Sequence, residues 1–195
     1  MNLLLEQLPS KVNGYSCNTD FRIMVQFELL LQEQNIDTEA ALKRIFKLFY
    51  ISTPPSLEKA VEGLLWFYRC GKSEEEHPTT THKSSVQAYS FAQDAGYIYA
   101  AFLAQYGIDL TAVKMHWWKF RALFSALESG NVFTEIMGYR TVDTKGMGRR
   151  ERAQYERLKK IYALKNTSSK SPLTCAEYNQ QMLEYVDRRY QENKM

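Results

Sequence analysis

The hydrophobic period of the chain changes once, near residue 18. Ahead of that point a short apolar segment leads into Lys11-Val12, Asn13-Gly14 and Tyr15-Ser16-Cys17. Asn-Gly is the favoured two-residue hairpin loop because both central positions need φ > 0. A tight β-hairpin is therefore predicted. After Asn18 apolar residues recur at three and four, the spacing of a helix face. Thr19 or Asp20 can cap a first helix striped by Ile23, Phe27, Leu30 and Leu31, and Thr38 a second striped by Leu42, Ile45, Phe46 and Phe49. Pro54-Pro55-Ser56 stops the chain and restarts it into a third, with Leu57, Val61, Leu64, Leu65 and Tyr68 in register up to Gly71. Ser or Thr before a stripe and Gly after it satisfy the backbone groups that a helix end leaves unpaired.

Residues 72–85 lack apolar periodicity and read as a polar surface loop. A fourth helix follows, striped by Tyr99, Phe102, Leu103 and Tyr106 and closed by Gly107. The cleanest stripe is the fifth: Val113, Trp117, Phe120, Phe124 and Leu127, ending near Gly130. A short helix from Val132 to Met137 ends at Gly138, and beyond Gly146 and Gly148 a narrow-striped one runs from Arg149 to Leu164. A polar linker around Ser168–Pro172 leads to a last helix, whose Thr174-Cys-Ala-Glu177 start has the capping-box spacing. Its Tyr178, Met182, Tyr185 and Val186 face is only weakly apolar.

The predicted fold is mainly α, a compact multi-helix single domain over residues 1–195 with a small N-terminal β-hairpin. It divides into a hairpin lead-in (1–17), a helical core (18–140) and a basic helical C-terminal region (145–195). The length of 195 residues supports a full hydrophobic core. Aromatic content of 13% excludes the disordered class, which is aromatic-poor. The start has no basic n-region and carries Glu6, so it fails as a signal peptide. The longest apolar run, Tyr97 to Ala104, is far shorter than the ~20 residues a membrane span needs. Cys17, Cys70 and Cys175 are scattered and odd in number, which fits the reducing cytoplasm rather than a disulfide framework.

Charge is unevenly spread. Residues 145–195 hold 12 Lys/Arg against 6 Asp/Glu, a balance of +6, while the rest carries −3. The candidate basic surface is Arg149, Arg150, Arg152, Arg157, Lys159 and Lys160. A solvated face is the ordinary use of such a run; tracking phosphates or docking on an acidic protein are the functional ones. Tyr155 and Tyr162 interleave with these cations but align with Leu158 and Ile161 on the predicted core side, which argues against base stacking.

Catalytic patterns are missing. Cys70, His77 and His82 lie within thirteen residues, but the spacing matches no zinc finger or ribbon. His116, ahead of Trp117-Trp118, suits a partly buried or capping role better than general-base work. Gly146-Met-Gly148 lacks the rest of any phosphate loop. No enzyme activity and no cofactor are expected. Leu64-Leu-Trp-Phe-Tyr68 and Trp117-Trp-Lys-Phe120 mostly fit core stripes. Trp66 and Trp118 lie off the main stripes, so either their helices bury a wide face or both rings are exposed. With Tyr185 they are the candidate protein-contact residues.

These segments carry a family resemblance. Asn18-Thr-Asp-Phe-Arg22, Leu64-Leu-Trp-Phe-Tyr-Arg-Cys-Gly-Lys72, Tyr97-Ile-Tyr-Ala-Ala-Phe-Leu103 and Tyr106-Gly-Ile-Asp-Leu110 form one part of it. His116-Trp-Trp-Lys-Phe-Arg-Ala-Leu-Phe124, Ile136-Met-Gly-Tyr-Arg140 and Tyr162-Ala-Leu164 complete it. In this order, over residues 18–164, they resemble the bacteriophage gene-product-fifteen family of siphophages and prophages of Gram-positive hosts. The resemblance implies no catalytic residues. It implies a gene in the tail module just before the tape-measure gene, where tail-assembly chaperones are encoded. The function it leads one to expect is a cytoplasmic tail-morphogenesis protein, a non-enzymatic tail-assembly chaperone on the tape-measure or another tail protein. Self-association would serve that role, and no membrane contact is expected. The alternative is a basic-helix nucleic-acid-binding or other regulatory prophage protein, with nucleic acid the less favoured partner.

Overall fold

In a computed structural model of the chain, residues 3–32, 38–52, 54–72 and 86–165 are described. Among them the order is β1 (Lys11–Val12), β2 (Tyr15–Ser16), α1 (Phe21–Gln32), α2 (Thr38–Phe49), α3 (Leu57–Tyr68), α4 (Ala95–Tyr106), α5 (Trp117–Ser125), α6 (Val132–Thr141) and α7 (Arg149–Ile161). The fold is mainly α with one antiparallel hairpin. The described residues form two compact units, one made of residues up to 72 with 115–120, the other of 86–114 with 121–165. The predicted 72–85 loop beyond Lys72 and before Val86, and the whole predicted last helix with Tyr185, lie outside the described residues.

The hairpin forms where the Asn-Gly pair demands it. Asn13 and Gly14 take φ of 51° and 85°, and Lys11 pairs with Ser16, Val12 with Tyr15. Its second strand continues onto the end of α2, through Asn18 N–H to the Phe49 carbonyl (2.7 Å) and Ile51 N–H to the Ser16 carbonyl (3.0 Å). Val12 is buried and α3 lies close against it. A Cβ on Gly63 would stand 2.6 Å from the Tyr50 hydroxyl oxygen and 2.8 Å from a Val12 methyl. That is close enough that only glycine fits without a shift. Phe27, Phe49, Leu64 and Phe67 fill the core of this first unit.

The second unit is built around Phe91, Phe124 and Phe133, whose rings meet Tyr89 and one another at 5.0–6.4 Å between centroids. In α4 the buried residues are Ile98, Ala101 and Phe102, whereas Leu103 is 44% exposed. The predicted stripe, with Tyr99 and Leu103, is thus rotated. The reason is that α4 contains no charged residue, so nothing in its sequence marks the solvent side.

Several helix boundaries also differ from expectation: α5 ends at Ser125 rather than near Gly130, α7 ends at Ile161 rather than Leu164, and two further shifts have visible causes. Val113 precedes α5 rather than lying in it. Asp109 organises a turn there by accepting from the Thr111 N–H (2.8 Å) and hydroxyl (2.6 Å), and His116 then starts the helix. Helix α6 does not stop at Gly138 but continues to Thr141. An interior glycine costs about 1 kcal/mol, and the anchoring of Arg140 two residues further on offsets it.

Candidate protein-contact surface and its buried anchors

A helix ends with four backbone carbonyls that have no partner within the helix. In α3 these belong to Leu65, Trp66, Phe67 and Tyr68, and every one is satisfied. Leu65 and Trp66 accept from the Arg69 and Gly71 N–H groups at 2.9 and 3.0 Å. Phe67 accepts from the Cys70 N–H and from the Trp118 indole Nε1–H at 2.7 Å; Tyr68 accepts from the Trp117 Nε1–H at 2.9 Å. The chain leaves α3 through Cys70 and Gly71, both at positive φ (58° and 74°). A Cβ on Gly71 would meet the Trp118 ring at 2.9 Å. The adjacent tryptophans are therefore a cap on the end of α3.

Trp118 is 1% exposed and packs against Trp66 and Phe67 at 5.3 and 5.9 Å. As a contact residue it is corrected: of the two alternatives left by its off-stripe position, the wide buried face holds. Its N–H reaches inward to the Phe67 carbonyl, a second bond beside that from the Cys70 N–H, and its ring fills the space against Trp66 and Phe67. Trp66 is half-buried against it. Tyr185, the third candidate, lies outside the described residues.

His116 does the capping expected of it. Its Nδ1 accepts the Trp118 backbone N–H at 3.1 Å, which leaves Nε2 as the proton-bearing nitrogen that donates to the Pro9 carbonyl at 3.0 Å. Burial holds its pKa below the ordinary 6.5, partly offset by that carbonyl. Cys17 sits in the core with its thiol 3.4 Å from the Ser10 carbonyl, and burial pushes it up to about 11, far from the thiolate a nucleophile needs. His77 and His82, weighed with Cys70 as metal ligands, lie outside the described residues. Among the described residues no three metal-ligating side chains cluster.

The second unit has a polar anchor that the sequence did not suggest. Asp94 at the start of α4 and Arg140 on α6 are 2% and 8% exposed and pair through two bonds of 2.7 and 2.9 Å. Arg140 also donates to the Ala88 carbonyl (2.9 Å) and, through Nε, to the Tyr162 carbonyl (2.7 Å). Asp94 accepts the Ser90 N–H at 2.9 Å. One guanidinium thus fixes the 88–94 segment, α6 and the end of α7. Forty-six residues separate the pair, and no spacing rule reaches that far.

Helix α7 carries the candidate basic surface and buries no residue completely. Arg149, Arg150, Arg152, Arg157 and Lys160 are exposed and Lys159 is half-buried. Tyr155, Leu158 and Tyr162 are half-buried, with Tyr139 of α6 stacked on Tyr162 at 5.7 Å. Ile161, predicted to join that stripe, is 59% exposed instead. Large apolar side chains also reach solvent at Leu4, Leu5 and Ile51 in the first unit, and at Tyr97, Leu103 and Val132 in the second. No described helix is long and apolar enough to cross a membrane.

Five of the seven strings that carried the resemblance are joined by these long-range bonds. The 64–72 string meets 116–124 through the tryptophan cap, and 136–140 meets 162–164 through Arg140. Asn18–Arg22 reaches the residues around His116, with the Phe21 N–H on the Met115 carbonyl and the Trp117 N–H on the Thr19 carbonyl, both 2.8 Å. No curated protein and no solved structure matches the chain. The family model described as "Bacteriophage Gp15 protein" matches residues 4–164, from ahead of the hairpin to just past α7. The chain belongs to the bacteriophage Gp15 family.

Proposed function

We propose that this phage protein is a tail-morphogenesis factor, a non-enzymatic chaperone that holds an apolar helical stretch of the tape-measure protein in the host cytoplasm during tail assembly. The observation that carries this reading is α4. It is a 12-residue helix without a charged side chain, yet Tyr97 and Leu103 are 43% and 44% exposed, with Ala100 and Ala104 also exposed beside them. A helix that is apolar all round normally lies buried. Another helix can be recognised through anchors at i, i+3 and i+4, and the small Ala side chains between the anchors let its backbone come close. Tyr97 and Leu103 take the anchoring role for which buried Trp118 is unsuited.

The polar interior supports a structural rather than a chemical role. Among the described residues no buried side-chain nitrogen or oxygen lacks a hydrogen-bond partner. The indoles, His116 and the Asp94–Arg140 pair all hold helix ends. A pull-down from cells expressing the whole tail module tests the proposal: the tape-measure protein should co-purify, and its absence from a complex holding other tail proteins would contradict it.

A further inference from the structure

The outer side of α7 has chemistry of its own. Tyr155, Leu158 and Tyr162 are half-buried and define the inward side of this 13-residue helix. At 100° per residue the opposite side carries Arg149, Arg150, Ala153, Arg157 and Lys160, all exposed. Glu156 and Ile161 lie on its two edges, both exposed. None of these charged side chains forms an ion pair with a described residue. Among the described residues nothing neutralises these cations, which lie along a rod of about 20 Å.

We propose that this outer side of α7 is a docking site for a second helix, an acidic amphipathic segment of a partner protein. The spacing is that of helix pairing. Arg150 and Arg157 are seven residues apart, about 10 Å along the axis, which matches two carboxylates seven apart on a helix lying alongside. Ala153 leaves room between them for an apolar side chain, and Ile161 offers that partner an apolar contact at the end of the row. Glu156 borders the cationic row along one edge. A phosphate backbone would be repelled there, whereas a mixed-charge helix can set a Lys or Arg against it. The inference does not depend on the tail-assembly reading, since neither Tyr97 nor Leu103 takes part.

The test uses the full chain and a fluorescent helical peptide of about three heptads, with Glu at every seventh position and Leu and Ala between. Saturable binding that weakens with salt is expected. It should fall by about tenfold or more in R150E/R157E and return when the Glu residues of the peptide are changed to Lys. The R150Q/R157Q variant should fall between, and circular dichroism should show the same helix content in all three proteins. Three results would overturn the proposal: no binding at about 1 mM peptide, binding that the charge reversal leaves unchanged, or tighter binding of a DNA or RNA strand of equal charge that the same reversal abolishes.

Discussion

Trp118 spends its indole N–H on the Phe67 carbonyl at 2.7 Å and its ring on Trp66 and Phe67. Changing it to Phe keeps an aromatic ring and removes the donor, so a loss of about 1–2 kcal/mol is expected in urea unfolding. Changing it to Ala adds a cavity and should cost about 3–5 kcal/mol; equal effects of the two would mean that the bond contributes nothing. Arg140→Ala leaves the Asp94 carboxylate 2% exposed and without its cation, and should cost about 3–5 kcal/mol. A loss below about 1 kcal/mol would show that Asp94 finds water instead. His116 gives the pH dependence its sign. Its folded pKa lies below 6.5, so the unfolded chain takes up the proton first as pH falls. Its contribution is complete above 6.5 and is lost as pH drops from there through the lower folded value. Comparing urea midpoints at neutral and mildly acidic pH, H116Q should lose less than the unaltered protein; parallel losses would place the effect on other groups.

At the level of elements, α3 and the hairpin are held by one missing side chain. Gly63→Ala should raise helix propensity by about 1 kcal/mol, yet the new methyl meets Tyr50 and Val12 below 3 Å. Overpacking of this kind costs about 1–3 kcal/mol, so a lower melting temperature is expected, and a higher one would mean that the hairpin yields freely. Much of this level was legible in the sequence. Asn13-Gly14 fixed the hairpin, Ser56 the start of α3, and Gly107, at φ 64°, the end of α4. The rest depended on partners distant in sequence. The start of α5 is set by His116 and its bonds, the run of α6 past Gly138 by Arg140, and the rotation of α4 by packing that its charge-free sequence does not encode. The candidate site was partly legible: of the six basic positions of α7 all but Lys159 are exposed, but Trp118 turned inward, with its N–H on the Phe67 carbonyl at the end of α3 and its ring against Trp66 and Phe67.

At the level of the whole molecule, each unit is locked by its own polar anchor, the tryptophan cap in the first and the Asp94–Arg140 pair in the second. Membership of the Gp15 family gives the phage context; exposed Tyr97 and Leu103 give the chaperone reading its physical content. Because both side chains reach solvent on an otherwise stable helix, Y97E/L103E should change stability by less than about 0.5 kcal/mol each while removing the apolar anchors. The most direct measurement is co-expression of the tape-measure protein with this chain alone. The account predicts a soluble complex with the unaltered protein and an insoluble tape measure with Y97E/L103E. A tape measure that stays insoluble with both, with no complex recovered, would contradict it.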